Sequence, residues 1–301
     1  HEGRSKEDTR IGKHWIPLAK GGDYSPYYTD IHLVVNWENN GERIEKYVLE
    51  KYPYLNGNAE WVLHRECNYF HKGLNWSRST VKGLSVRILF EGLLFSDKGP
   101  SAFIQDDNPN ELYKFLGLMN SKIFEYLLYL RHGQRAWEVG LVQTTPIPYM
   151  DDISTNKLGA LAKKCFILRR DSEIYNENSY FFIYSALVRY AEIALNEVIK
   201  RWNSLFIQKL QEYNECQLEI DNISYTLYNI DEPNRRKIEY FRSVPSSDDE
   251  LIQENIELVT ELKPKQGISD LFSFILGSIL GRWDIRYATG ERQPPELPDP
   301  F

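Results

Sequence analysis

The sequence predicts an α+β protein: a mixed α/β domain built on short strands, then a mainly helical domain with one long helix. Three observations lead there. Before residue 100, apolar residues fall in short alternating runs closed by turns containing Asn, Gly and Pro. Beyond residue 151, they recur at helical spacing over long runs. Charge divides in the same way. Residues 1–150 hold 18 basic and 18 acidic side chains, so the whole net charge of -7 lies in residues 151–301.

The elements follow in order. Residues 30–37 read as a strand, closed by the turn formers Asn39-Asn40-Gly41. Residues 85–90 and 93–96 read as two more strands, the second running into Lys98-Gly99-Pro100. Residues 111–130 read as one helix, because Leu112, Phe115, Leu116, Met119, Ile123, Tyr126, Leu127 and Leu130 mark a single apolar face. Residues 139–142 read as a strand leading to Pro146-Ile147-Pro148, where the first domain is expected to end. Helices are expected over 156–169, over 180–217, from Glu250, and over 268–282. In the last, Gly277 and Gly281 are spaced so that another backbone could approach. The expected division is therefore 1–14 disordered or linker, 15–150 a mixed α/β domain, and 151–301 a helical spacer or assembly domain. The polar start and the proline-rich end, Gln293-Pro294-Pro295, are expected of a piece of a longer protein.

Composition narrows the classes. The three cysteines are far apart and show no zinc-finger spacing, so reduced thiols in a cytoplasmic protein are expected. His71 has no partner at metal-ligand spacing. No stretch of about 18 apolar residues could cross a bilayer. The chain has neither GxxxxGK[ST] nor a glycine-rich strand-to-helix turn followed by an acid, so ATP and S-adenosylmethionine sites are not expected in it. Its single Pro-Pro is preceded by Gln293 and followed by Glu296, which is not the polar-Pro-Pro-aromatic loop that holds a flipped adenine. Asp249 with Glu261-Leu262-Lys263 has the loose spacing of a metal-dependent nuclease, but in an acidic helical run followed by Pro264.

The positive signal is a basic stripe. Between His64 and Arg87, the cations Arg65, Lys72, Arg78, Lys82 and Arg87 meet one acid, Glu66. In Tyr69-Phe70-His71-Lys72-Gly73-Leu74-Asn75-Trp76-Ser77-Arg78-Ser79, cations, rings and amides interleave. Cations neutralise phosphates, while rings and amides reach bases. The DNA-contact candidates are Lys20, Gly21, Gly22, Lys72, Asn75, Trp76, Ser77, Arg78, Lys82 and Arg87. For Trp37 and Trp76 a core role is the commoner one, Gly21, Gly22 and Gly73 suit turns, and Asn120-Ser121-Lys122 suits packing.

An ordered series runs through this region. It comprises Lys20-Gly21-Gly22, Val35-Asn36-Trp37-Glu38-Asn39-Asn40-Gly41, the Tyr69 to Ser77 run, and Phe95. It continues with Gly99-Pro100-Ser101-Ala102-Phe103-Ile104, Leu116-Gly117-Leu118-Met119-Asn120-Ser121-Lys122, Val139-Gly140 and Pro146-Ile147-Pro148. The series resembles the target-recognition domain of type IIG restriction-modification methyltransferases and of the BREX phage-defence methyltransferase. Gly277-Ser278-Ile279-Leu280-Gly281-Arg282-Trp283-Asp284 resembles a further motif downstream in those proteins. The resemblance implies double-stranded DNA as partner, and a missing N-terminal domain that binds S-adenosylmethionine and methylates adenine. It departs at Asn75, where the family has Thr. The rival expectations are a helical scaffold for other defence-system subunits and a nuclease.

Overall fold

The computed structural model describes residues 2–64, 68–80, 82–132, 136–190, 194–243, 264–297 and 299–301. The protein is α+β and divides into two compact units. The first is His1–Asn120, Phe124–Ile147 and Pro300–Phe301; the second is Ser121–Ile123 and Pro148–Asp299.

The first unit holds two small sheets. Strand β1 (Trp15–Ala19) pairs antiparallel with β2 (Val34–Asn36). Helix α1 (Glu38–Lys51) follows, and its first turn is interrupted by left-handed Asn39, Asn40 and Gly41. Asn tolerates that conformation better than other side chains do, and Gly41 lets the chain fold over the Trp37 ring, which a Cβ would meet at 3.0 Å. The expected strand over 30–37 is thus reduced to three residues, and its turn opens a helix that the sequence reading missed. Short α2 (Glu60–Leu63) completes a core of Ile16, Trp37, Val48, Leu55, Ala59, Leu63 and Leu94.

The second sheet has the order β4-β3-β6, all antiparallel, from β3 (Gly73–Trp76), β4 (Val86–Leu89) and β6 (Ser101–Ala102). Strand β5 (Leu94–Phe95) instead joins β1 in parallel, over two residue pairs. All residues of β3 and β4 are buried, so these strands lack the alternation of a half-exposed sheet. Gly73 is no turn former here. It starts β3, where a Cβ would meet the Ala102 carbonyl at 2.6 Å.

The single helix expected over 111–130 is two, α3 (Pro109–Met119) and α4 (Lys122–His132). Asn120 ends α3 by donating Nδ2 to the Leu116 and Val86 carbonyls and accepting from Val86 N–H. Its side chain occupies both backbone groups of an edge residue, which clips the helix end to β4. The expected strand over 139–142 is helix α5 (Val139–Gln143). Its apolar run is too short for periodicity to separate the two states. Residues 2–14, set aside as disordered or linker, contain a 3-10 turn, Asp8–Arg10, with Thr9 buried.

The second unit is helical. Helix α6 (Asp152–Glu173) is capped by Asp151, whose carboxylate accepts from Ser154 N–H at 2.8 Å. Its main partner is the 33-residue α7 (Leu195–Leu227). That helix was expected from residue 180, but its first stretch is turns and a 3-10 helix, Ala186–Tyr190. The aromatics there pack away from a helix line: Phe182 lies 6.0 Å from Phe274 and 5.1 Å from Trp283, ring to ring. Helices α8 (Glu232–Ser243), α9 (Pro264–Ile279) and α10 (Arg286–Thr289) follow. The helix expected from Glu250 lies outside the described residues. What approaches Gly277 is a ring rather than a backbone, because a Cβ there would meet Trp283 at 2.1 Å. Gly281, at φ 76°, ends the helix in the left-handed conformation.

Candidate nucleic-acid interface

Three loops of the first unit are knotted together beside the end of β3. Lys20-Gly21-Gly22-Asp23 leaves β1, Ser77-Arg78 leaves β3, and Asp97-Lys98-Gly99-Pro100 precedes β6. Ser77 Oγ donates to the Gly22 carbonyl at 2.7 Å, and Arg78 N–H donates to the Lys98 carbonyl at 3.0 Å. Gly21 (φ 93°) lies so close that a Cβ would sit 2.3 Å from the Lys98 carbonyl oxygen, and a Cβ on Gly99 would sit 2.7 Å from Gly21 N. The glycines here serve backbone-to-backbone approach.

A buried polar network supports the knot. Arg87 is 1% exposed and spreads its guanidinium over neutral acceptors. Nη2 donates to Ser77 Oγ at 2.6 Å, Nη1 to the Asp23 carbonyl at 3.3 Å, and Nε to Asn75 Oδ1 at 3.3 Å. Burial lowers its pKa to about 10, against the pull of the Asp23 carboxylate, so it stays cationic at neutral pH. Asn75 Nδ2 donates to the Gly99 and Pro100 carbonyls at 2.7 and 3.1 Å. Trp76 is buried and donates Nε1 to the Trp137 carbonyl at 2.8 Å.

Of the sequence candidates, the structure therefore brings Lys20, Gly21, Gly22, Asn75, Trp76, Ser77, Arg78 and Arg87 together, in two layers. Asn75, Trp76, Ser77 and Arg87 turn their polar atoms inward and cannot meet a ligand without unfolding the knot. Lys20, Gly22 and part of Arg78 are on the surface. Lys72 precedes β3 and sits at its far end, about 13 Å away at about 3.3 Å per residue. Lys82 is half-buried in the β3–β4 connection, beside Gly83, which lies against the Glu125 carboxylate.

The exposed layer is of mixed charge. Arg78 is bound by Glu138 (2.7 Å) and Asp97 (3.4 Å), and the Glu138 hydrogen bond raises its pKa. Lys98, missed by the sequence reading, pairs with Asp97 at 3.0 Å and is well exposed. Its signal was the Gly99-Pro100 turn, which holds it beside Gly21. An incoming phosphate would compete with Glu138 for Arg78, while Lys20 and Lys98 project from the rim.

Among the described residues, no group of three or more His, Cys, Asp or Glu could hold a metal. Asp249, Glu261 and Lys263, the nuclease candidates, lie outside the described residues. A nucleotide-type cofactor in a doubly wound fold sits where a parallel strand runs through a glycine-rich turn into a helix. Here β1 is parallel only to two-residue β5, and its Gly21-Gly22 loop is filled by the Lys98 backbone and followed by no helix. Among the described residues, β1 therefore does not form that strand–turn–helix unit. Among them, no helix is long and apolar enough to cross a membrane.

The downstream motif also resolves into packing. Arg282 stacks on Trp283 at 4.4 Å, and Asp284 accepts from Arg286 Nη2 at 2.7 Å and Arg292 Nη1 at 3.1 Å.

No family model matches the chain. It is 24% identical over 283 residues to the adenine-specific methyltransferase BrxX of Escherichia coli O9:H4 (strain HS), covering 90% of this chain and 21% of that protein. It is 22% identical over 283 residues to the adenine-specific methyltransferase PglX of Lacticaseibacillus casei (strain Zhang), covering 91% and 21%. The chain thus spans about a fifth of the length of these relatives, and at low identity it is similar to adenine-specific methyltransferases.

Proposed function

We propose that this chain is the DNA target-recognition part of a site-specific adenine methyltransferase of phage defence, with the first unit as reader. The carrying observation is the match of nine-tenths of the chain to one-fifth of two adenine-specific methyltransferases. A stretch of that size without a flipping loop or a cofactor turn suits a part that selects the site rather than one that methylates. The knot of three loops supplies a rigid edge whose rim cations, Lys20, Lys98 and Arg78, suit phosphates. Methyl transfer, S-adenosylmethionine and the cytoplasmic setting belong, in this reading, to the whole polypeptide.

The test is selection of duplex DNA by the full-length protein, followed by binding of the chain to the selected duplex across a salt series. Lys20→Ala with Lys98→Ala is expected to reduce the salt slope by about 2 and weaken all sequences alike. Failure to enrich any motif, or an unchanged slope, would count against the reading.

A second reading, a helical scaffold that assembles defence-complex subunits, draws on α9. That helix leaves Phe272, Leu276, Ile279 and the following Leu280 exposed on one side. Phe272→Ser with Ile279→Ser should then reduce the assembly size of the full-length protein in light scattering; an unchanged size removes this reading.

A further inference from the structure

Arg78 shares the rim with Lys20 and Lys98, and its charge suits a phosphate as theirs does, but its side chain is far more tightly held. Nε donates to Glu138 Oε1 at 2.9 Å, the same oxygen lies 2.7 Å from Nη2, and Nη1 donates to Asp97 Oδ2 at 3.4 Å. The backbone under this contact is pinned as well. Arg78 N–H donates to the Lys98 carbonyl at 3.0 Å, and Trp137 N–H donates to the Arg78 carbonyl at 2.7 Å. Trp76 Nε1 donates to the Trp137 carbonyl, so Glu138 follows a residue fixed at both backbone groups. The Arg78 side chain is nevertheless 35% exposed. A guanidinium carries five N–H donors, and donors remain on both terminal nitrogens. The local charge also balances. Asp97 and Glu138 face Arg78, and Lys98 pairs with Asp97, so the four side chains together are neutral. A phosphate would meet two carboxylates here, and a point charge gains nothing from a fixed plane. A base edge is neutral and is read by the direction of its hydrogen bonds.

We propose that Arg78 is a base-reading residue that takes the O6 and N7 acceptors of a guanine in duplex DNA, with Glu138 and Asp97 setting its plane. The proposal rests on the recognition role given to the chain and adds which base that role selects at this point. Guanine offers two acceptors side by side in the major groove, and two parallel N–H groups of a guanidinium match them. Adenine sets an amine beside N7, cytosine offers an amine, and thymine offers one acceptor. Each leaves an Arg78 donor unmet or facing another donor. An unrestrained arginine would also have to give up its rotamer freedom on binding, a cost that ordering in advance removes. Lys20 and Lys98, on flexible stems, answer phosphates, which position the protein but carry no sequence information.

The experiment selects duplex DNA with the full-length protein, then measures binding of wild type and variants to the selected duplex and to its single-base-pair substitutions across a salt series. Arg78→Ala is expected to lose about tenfold or more of the discrimination at one G·C position and to keep it at the others. Arg78→Lys keeps the charge but loses the fork, and is expected to fail at the same position. Glu138→Gln leaves Arg78 in place but frees its charge and its plane. Discrimination at that position should then fall while the salt slope for all sequences steepens. Uniform weakening in Arg78→Ala, with a slope reduced by about 1 and rescue by Arg78→Lys, would make Arg78 a phosphate contact and overturn the proposal. Loss at a position other than G·C overturns it too. A wild-type protein that enriches no motif removes the recognition role and this proposal together; a motif that Arg78→Ala leaves intact removes this proposal alone. Should Arg78→Ala fail to fold, seen as loss of discrimination at every position, Arg78→Lys and Glu138→Gln supply the same readout.

Discussion

Arg87 stands directly across the β3–β4 ladder from Asn75 and donates Nε to its Oδ1 at 3.3 Å, while the Asn75 amide nitrogen holds the Gly99 and Pro100 carbonyls. One side chain thus joins a buried cation to the loop that carries Lys98. This is the position at which the chain departs from the Thr of the family it resembles. An Asn spans the gap because it offers an acceptor on one side and two donors on the other.

Asn75→Ala removes both connections and leaves the Gly99 carbonyl without its Asn75 donor inside the fold. A loss of about 2–3 kcal/mol of stability is expected, the cost of an unsatisfied buried polar group with a small cavity. Urea denaturation of the chain reads it. A change under about 0.5 kcal/mol, the scale of surface substitutions, would mean that water replaces the amide.

Gly21→Ala places a methyl group against the Lys98 carbonyl and demands a positive φ from alanine. The expected cost is about 2–4 kcal/mol, because the clash is with backbone that cannot swing away. A melting curve should show the loss, and Gly22→Ala separates the two causes. Gly22 also has positive φ, but a Cβ there meets nothing within 4 Å, so only the conformational part remains.

Gly277→Ala should displace the Trp283 ring, which already occupies the space of the new methyl. Overpacking of this kind costs about 1–3 kcal/mol. Tryptophan emission should shift to longer wavelength as the ring leaves Phe274 and Phe182. An unshifted spectrum at unchanged stability would contradict the contact.

Asp284 contributes a pH dependence to the second unit. The Arg286 hydrogen bonds, with Arg292 behind them, hold its carboxyl well below the ordinary carboxylate range. The folded chain gives up this proton more readily than the unfolded one, so the contribution is present above about pH 4. It is lost as pH falls toward the depressed value. The midpoint of the second unit should fall from pH 4 to pH 2 by less in Asp284→Asn than in wild type. Parallel profiles would show that the two arginines contribute nothing here.

Much of the helical half was legible, because periodicity over tens of residues survives local exceptions; α6 and the body of α7 lie where their apolar spacing puts them. The misses have local causes. Asn120 interrupts a continuous apolar face because its amide is taken by Val86 of β4, a partner 34 residues back in the chain. The apolar stretch over 139–142 suits strand or helix equally and was decided by its surroundings. The site candidates divide by the same logic: sequence spacing could collect Asn75, Trp76, Ser77, Arg78 and Arg87 but could not tell inside from outside.

The basic stripe between His64 and Arg87 is therefore two things, a buried support and a surface rim. The order of residue types along the chain determined that cations, rings and glycines gather between Lys20 and Lys98, since composition and turn chemistry are local. Only the tertiary structure decided which cations face water. Burial depends on which strand lies across the ladder and which loop closes over it, and those contacts join residues dozens of positions apart. That put Arg87 under the knot as its support and raised Lys98, unremarkable in sequence, to the rim beside Lys20.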